Sequence, residues 1–243
     1  KSLRTIFISP LYLRKPLLSI VKSYFFLSTV LNGSITSFDL ELDNLNNSSF
    51  KSGLITEAEL KENEYDGSKY AAAHSFAFEK RLMTLRRAFS RLDADTRSLV
   101  DIFASQNEWV LPYAYYMALK ESFGLRPWWE WDSEYVKYEQ ALKLKDKHKA
   151  EIDFYIFTQY IFFTQWRSLK EYANSKNVFI LGDMPIYVSR NSSDVWSDVS
   201  LFEINEKSLA PTHVAGVPPD YFSEDGQLWG NPLYNWKKMK ETG

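Results

Sequence analysis

Between Glu151 and Leu181 the sequence spells a long helix, a turn and a short apolar run. Ile152, Tyr155, Ile156, Phe163, Trp166 and Leu169 recur on one helical face, the spacing expected of residues 3.6 to a turn. Phe154, Phe157, Ile161 and Phe162 widen that face well past an ordinary amphipathic stripe. The pattern predicts a helix over 151–174 that is buried on more than one side. After Asn177, the run Val178-Phe179-Ile180-Leu181 reads as a buried parallel strand. Helix, turn and apolar strand in this order form the repeating unit of an α/β barrel.

The rest of the chain carries mostly helical signals. Thr56 followed by Glu59 is a capping box, so a short helix is expected to begin there. Lys69 to Arg91 reads as a helix, with Phe76, Leu82, Leu85, Ala88 and Phe89 at spacings near three and four. Asp101 to Gly124 holds another, stopped by Gly124, and Pro112 fits only in its first turn. Arg126 to Trp131 reads as a loop, and the charge-mixed run from Lys143 to Lys149 as a solvated helix face. The apolar stretch from Pro16 to Leu31 is short for a membrane span and Lys22 interrupts it. Basic residues precede it, but no clean small-residue cleavage site follows, so it is read as neither anchor nor signal peptide.

Composition narrows the function classes. A formal net charge of −2 points to neither nucleic acid nor an anionic membrane as partner. The sequence has no Cys, which excludes disulfides and thiolate metal sites and makes the cytoplasm the default location. His74, His148 and His213 match no metal-ligand spacing, and there is no Gly-rich nucleotide motif, so no metal or cofactor is expected.

One loop stands out chemically. Gly216-Val217-Pro218-Pro219-Asp220-Tyr221-Phe222-Ser223 is followed closely by Gly226-Gln227-Leu228-Trp229-Gly230-Asn231. The two prolines fix φ, and the flanking glycines permit sharp turns. Two readings fit: a stiff loop that offers aromatic faces and one charge to a sugar chain, or a Pro-rich connector with its aromatics in the core. Trp196 reads equally well as core or as cleft wall.

Gly182-Asp183-Met184-Pro185-Ile186-Tyr187-Val188, Ser193-Asp194-Val195-Trp196, the Gly216 loop and Gly226 to Trp236 occur in order. Together they resemble the 4-α-glucanotransferases (amylomaltases or disproportionating enzymes), glycoside hydrolase family 77 of the α-amylase superfamily. The resemblance is dense from Asn107 to Gly243 and patchy before that. It implies an α/β chain forming part of a (β/α)8 TIM barrel with an inserted helical subdomain, truncated before the catalytic strands. The expected layout is an unmatched N-terminal segment over 1–37, a mainly helical inserted subdomain over 38–150, and a barrel portion over 151–243.

The same resemblance implies transfer of a segment of a 1,4-α-D-glucan to glucose or another 1,4-α-glucan, with retention at the anomeric carbon. Asp183 would help hold the sugar ring where the bond breaks. Pro219, Asp220, Tyr221, Phe222, Trp229 and Asn231 would belong to a substrate-binding loop over the cleft, and His213, beside it, reads as structural or solvated. Retaining chemistry needs two carboxyl groups roughly 5 Å apart. The family strings that carry the nucleophile Asp and the acid/base Glu are absent from the sequence. They are expected beyond Gly243, which would leave this chain alone inactive. Two alternatives stay open: a non-catalytic glucan-binding module, or another enzyme of the superfamily. The expected partner is a maltooligosaccharide or other α-1,4-glucan, with no nucleic acid and no membrane. The location is cytoplasmic, or a plastid in a plant. A barrel cut partway would leave an unpaired strand edge and bare apolar faces, so self-association is expected.

Overall fold

The computed structural model describes residues 53–63, 74–180 and 186–242. In chain order its helices are α1 (Glu57–Lys61), α2 (His74–Ser90), α3 (Ala94–Gln106), α4 (Val110–Ser122), α5 (Ser133–Val136), α6 (Tyr138–Ala141), α7 (Lys149–Ser175), α8 (Ser193–Ser197) and α9 (Trp236–Thr242). Two strands, β1 (Val214–Val217) and β2 (Gln227–Pro232), form an antiparallel pair. The described chain is therefore rich in helix, with one small sheet. It divides into two compact units. The described residues of the first lie within Lys22–Glu108 and Phe154–Leu181; those of the second lie within Trp109–Asp153 and Gly182–Gly243.

In the first unit the capping box is made as expected. The Thr56 amide donates to Glu59 Oε2 at 2.9 Å, and the Glu59 amide donates to Thr56 Oγ1 at 3.3 Å. The Glu59 carboxylate also takes two bonds from the Arg91 guanidinium, at 2.6 and 2.8 Å. That fork joins α1 to the end of α2 and holds the Glu59 carboxyl down at about 2, the Arg91 bonds being the largest cause. Leu54, Ala88, Val100 and Phe157 form the buried core, with Leu85, Phe89 and Tyr160 packed against it. Phe89 lies 5.6 Å from both Phe154 and Phe157, ring centre to ring centre.

Helix α7 explains the wide apolar face read in the sequence. Ile152, Phe154, Tyr155, Phe157, Thr158 and Gln159 are all buried, which no single stripe could achieve. From Tyr160 to Trp166 the side chains are half-buried. Asn177, at φ 55°, ends the helix in the left-handed region. The Val178 amide returns to the Ala173 carbonyl at 2.9 Å, a C-terminal cap that Asn tolerates better than most residues.

The run after this cap departs from expectation. Val178 and Phe179 are not in a strand, and Ile180 alone makes a bridge. Phe179 is 57% exposed. A strand needs partners for its alternating amides and carbonyls, and Val178 and Phe179 make no bridge. Leu181 lies outside the described residues, as do 1–52 and 69–73, so the N-terminal readings and the start of the Lys69–Arg91 helix fall there too.

The second unit is built around aromatic rings. Trp196, 1% exposed, is ringed by Tyr115, Tyr116, Trp131 and Tyr138 at centroid distances of 5.0–5.9 Å. It is a core residue. The polar tips of Trp196 and Tyr115 are satisfied, as buried Trp and Tyr require. Trp196 Nε1 donates to the Tyr135 carbonyl at 2.9 Å, and the Tyr115 hydroxyl donates to the Ala141 carbonyl at 2.7 Å. Pro112 sits in the first turn of α4, and Gly124, at φ 62°, closes that helix. The Lys143–Lys149 run lies mostly in a 3-10 stretch, Leu142–His148, with no buried residue.

Candidate functional site

The hairpin β1–β2 presents the loop. Gly216 pairs with Leu228 and Val217 with Gln227, with a bulge between Val214 and Gly216. Two glycines are obligatory for this close approach. A Cβ on Gly216 would lie 2.6 Å from the Gln227 carbonyl oxygen, and one on Gly226 would lie 2.5 Å from that of Val217. Gly226 also sits at φ 73°, where side chains are disfavoured. Pro218 and Pro219 leave β1, and residues 218–226 form the projecting tip.

The tip is held by its own polar groups. Asp220 Oδ1 accepts the Phe222 and Ser223 amides, each at 2.9 Å. The Asp220 amide donates to the Ser223 carbonyl at 2.9 Å, and Ser223 Oγ donates to the Gly226 carbonyl at 2.7 Å. Tyr221 is 98% exposed and Phe222 88%, and the two rings meet edge-to-face at 5.6 Å. Of the two readings of this loop, the buried connector fails at these residues. Pro219 is exposed as well.

Trp229 extends the apolar surface along β2. It is 43% exposed, its Nε1 donates to Gln227 Oε1 at 3.0 Å, and its ring meets Tyr187 edge-on at 6.2 Å. Leu228 is exposed beside it. Asn231 is turned inward: its Nδ2 donates to the Val188 carbonyl at 2.9 Å. That bond ties β2 to the segment that follows Asp183. Asp183 itself lies outside the described residues.

The segment after Val188 is clamped twice more. Trp128 Nε1 donates to the Arg190 carbonyl at 2.7 Å, and the Tyr116 hydroxyl donates to Asn191 Oδ1 at 2.9 Å. The Arg190 guanidinium stands 3.7 Å above the Trp129 ring, and its Nε is buried without a hydrogen-bond partner among the described residues. Burial pushes the Arg190 ionisation down. Asp194, buried in α8, raises the neighbouring phenols of Tyr116 and Tyr234, though for both burial is the larger cause; Tyr234 reaches about 12. Sequence reasoning missed the Arg190–Trp129 pair. Its one local signal was an Arg between two motif strings. His213 Nδ1 lies 2.9 Å from Glu203 Oε2 at the exposed foot of the hairpin. Among the described residues no cluster of three or more His, Asp or Glu side chains is placed to hold a metal ion.

Tyr221, Phe222 and Trp229 thus present exposed aromatic rings on one hairpin. Comparison with known proteins gives this surface a context. The sequence profile of a family described as 4-alpha-glucanotransferase matches residues 5–243. A 4-alpha-glucanotransferase of Clostridium butyricum is 37% identical over 206 residues, covering 84% of this chain and 42% of that protein. One of Thermus thermophilus is 46% identical over 137 residues, 56% of this chain and 27% of that protein. Among solved structures, an amylomaltase from Streptococcus agalactiae in complex with acarbose superposes with a TM-score of 0.71 at 40% identity. That likeness covers 81% of this chain and 40% of the amylomaltase. The chain thus spans about two fifths of the length of the C. butyricum relative and of this amylomaltase.

Proposed function

The chain belongs to the 4-alpha-glucanotransferase family, and from that premise we propose that it serves transfer of a 1,4-α-D-glucan segment to glucose or another 1,4-α-glucan. The observation that carries the reading is the tip of the hairpin. Two aromatic rings stand almost fully in solvent on a loop stiffened by two prolines, the four turn hydrogen bonds described above and two obligatory glycines. Folding alone gives no reason to hold such rings away from the core, whereas the faces of glucose residues suit them. The reading is supported by the Streptococcus agalactiae amylomaltase, whose structure is a complex with acarbose.

In a retaining transfer, one carboxylate attacks the anomeric carbon while a second carboxyl protonates the departing glycosidic oxygen. An acceptor hydroxyl then attacks the glycosyl-enzyme and gives its proton to that second group. Water competes for the same intermediate, so a loop that covers the cleft favours transfer. The proposal gives Tyr221, Phe222 and Trp229 the sugar faces and Pro219 the stiffening of the tip. It takes Asp220 and Asn231 as part of the hairpin that carries these rings and gives Asp183 the ring at the reacting subsite. It takes the chain as part of a (β/α)8 barrel, with a mainly helical insertion over 38–150 and a barrel portion over 151–243. Among the described residues no helix is long and apolar enough to cross a membrane. A potato relative carries the name chloroplastic/amyloplastic; for this chain the proposed location is the cytoplasm, or a plastid in a plant.

The test is the affinity of the chain and of its Tyr221→Ala and Phe222→Ala variants for acarbose and maltoheptaose, measured beside the melting temperature. Each ring should contribute about 1 kcal/mol, roughly fivefold in affinity, with the melting temperature unchanged. Unchanged affinity with a lowered melting temperature would make the loop structural and defeat the reading.

A further inference from the structure

Resting on the reading of the loop as a glucan-binding surface, we propose that Asp220 is a positioning residue. Its side-chain oxygen shapes the tip that presents Tyr221 and Phe222, and its charge is not a sugar ligand. Oδ1 already accepts two backbone amides, from Phe222 and Ser223, at 2.9 Å each. These are the amides that fold the chain back immediately after the two exposed rings. The Asp220 amide closes the turn from the other side by donating to the Ser223 carbonyl, and Ser223 passes the constraint on to Gly226 through Oγ. Among the described residues Tyr221 and Phe222 are almost fully exposed, and each has the other as its one aromatic neighbour. Their directions are therefore set by the turn. A turn of this kind needs a short side chain with an accepting oxygen, which Asp and Asn both supply. The negative charge is not required for it.

The two roles separate on substitution. Asp220→Asn keeps the accepting oxygen and removes the charge. Asp220→Ala removes both. If Asp220 positions the rings, Asp220→Asn binds maltoheptaose within about twofold of the parent chain. Asp220→Ala weakens binding by about tenfold, because the rings must then be ordered at the moment of binding. A second readout needs no sugar: backbone amide exchange at Phe222 and Ser223 stays slow in Asp220→Asn and becomes fast in Asp220→Ala. Equal loss of affinity in both variants, with Asp220→Asn exchange still slow, would make the carboxylate a direct ligand and overturn the proposal. Fast exchange in the Asn variant, or unchanged exchange in the Ala variant, would overturn it too. Should the parent chain and the Tyr221→Ala and Phe222→Ala variants bind maltoheptaose alike, the glucan reading fails. The exchange result still decides whether Asp220 forms the turn.

Discussion

Gln159 shows how one side chain can work against the fold it sits in. It is 1% exposed on α7, and neither its amide oxygen nor its nitrogen finds a hydrogen-bond partner among the described residues. An unsatisfied buried amide costs about 1–3 kcal/mol. Gln159→Met, close in volume, should therefore raise the chemical unfolding midpoint, and a lower midpoint would show that the amide has a partner in solution. Glu59 makes the opposite case. Its carboxyl is held from the ordinary value near 4.5 down to about 2, chiefly by the Arg91 fork. A depressed acid contributes stability that is fully present above its unfolded value and lost as pH falls through its folded one. The melting temperature should thus fall as pH drops from about 4.5 to 2, and Glu59→Gln should flatten that slope. An identical slope in the variant would mean that the fork does not form. Trp196 was open between core and cleft wall because residue type cannot distinguish two apolar environments. The structure decides for the core through four aromatic neighbours and one indole hydrogen bond.

At the scale of elements, local rules were legible where the signal was local. The capping box of α1, the glycine stop of α4 and the double-sided burial of α7 each follow from residues within a few positions. Helix α3 was missed, although Asp93 accepts the Thr96 amide as its N-cap. Its apolar residues are few, and Leu99 and Ile102 are half exposed, so no clear stripe announced it. The run Val178–Ile180 went the other way. A strand is defined by its partner, and no local pattern can supply one. The hairpin that carries the candidate site was legible in its glycines and prolines, but not in its pairing. Gly226→Ala tests that element. The added methyl would meet the Val217 carbonyl oxygen at 2.5 Å in a backbone region where side chains are strained. The variant should lose roughly 1–3 kcal/mol locally, read as faster amide exchange across β1 and β2 with the first unit unchanged. Exchange equal to the parent would show that the hairpin relaxes without cost.

At the scale of the whole molecule, holding a glucan and transferring one are separate demands. The second unit carries the exposed rings, and the chain spans about two fifths of the C. butyricum relative and of the acarbose-bound amylomaltase. Incubated with maltotriose, the 243-residue chain should leave product lengths unchanged. Redistribution into glucose and longer chains would mean that a carboxyl pair operates within it. Met83, Leu99 and Ile102 in one unit and Ile186, Leu228 and Trp236 in the other are exposed apolar side chains. Self-association at rising concentration is expected from them, and sedimentation as a monomer throughout would contradict it. The resemblance to the family was readable in four short strings, one of which, Ser193–Trp196, folds into the buried helix α8. The family match over residues 5–243 reaches parts of the chain that no short string marks. The most direct test of the central claim is a titration of the isotope-labelled chain with maltoheptaose, followed amide by amide in NMR spectra. The account predicts shifts concentrated at Asp220 to Ser223 and at Trp229, saturating together. Saturable shifts confined to other residues, or none at the tip at millimolar sugar, would contradict it.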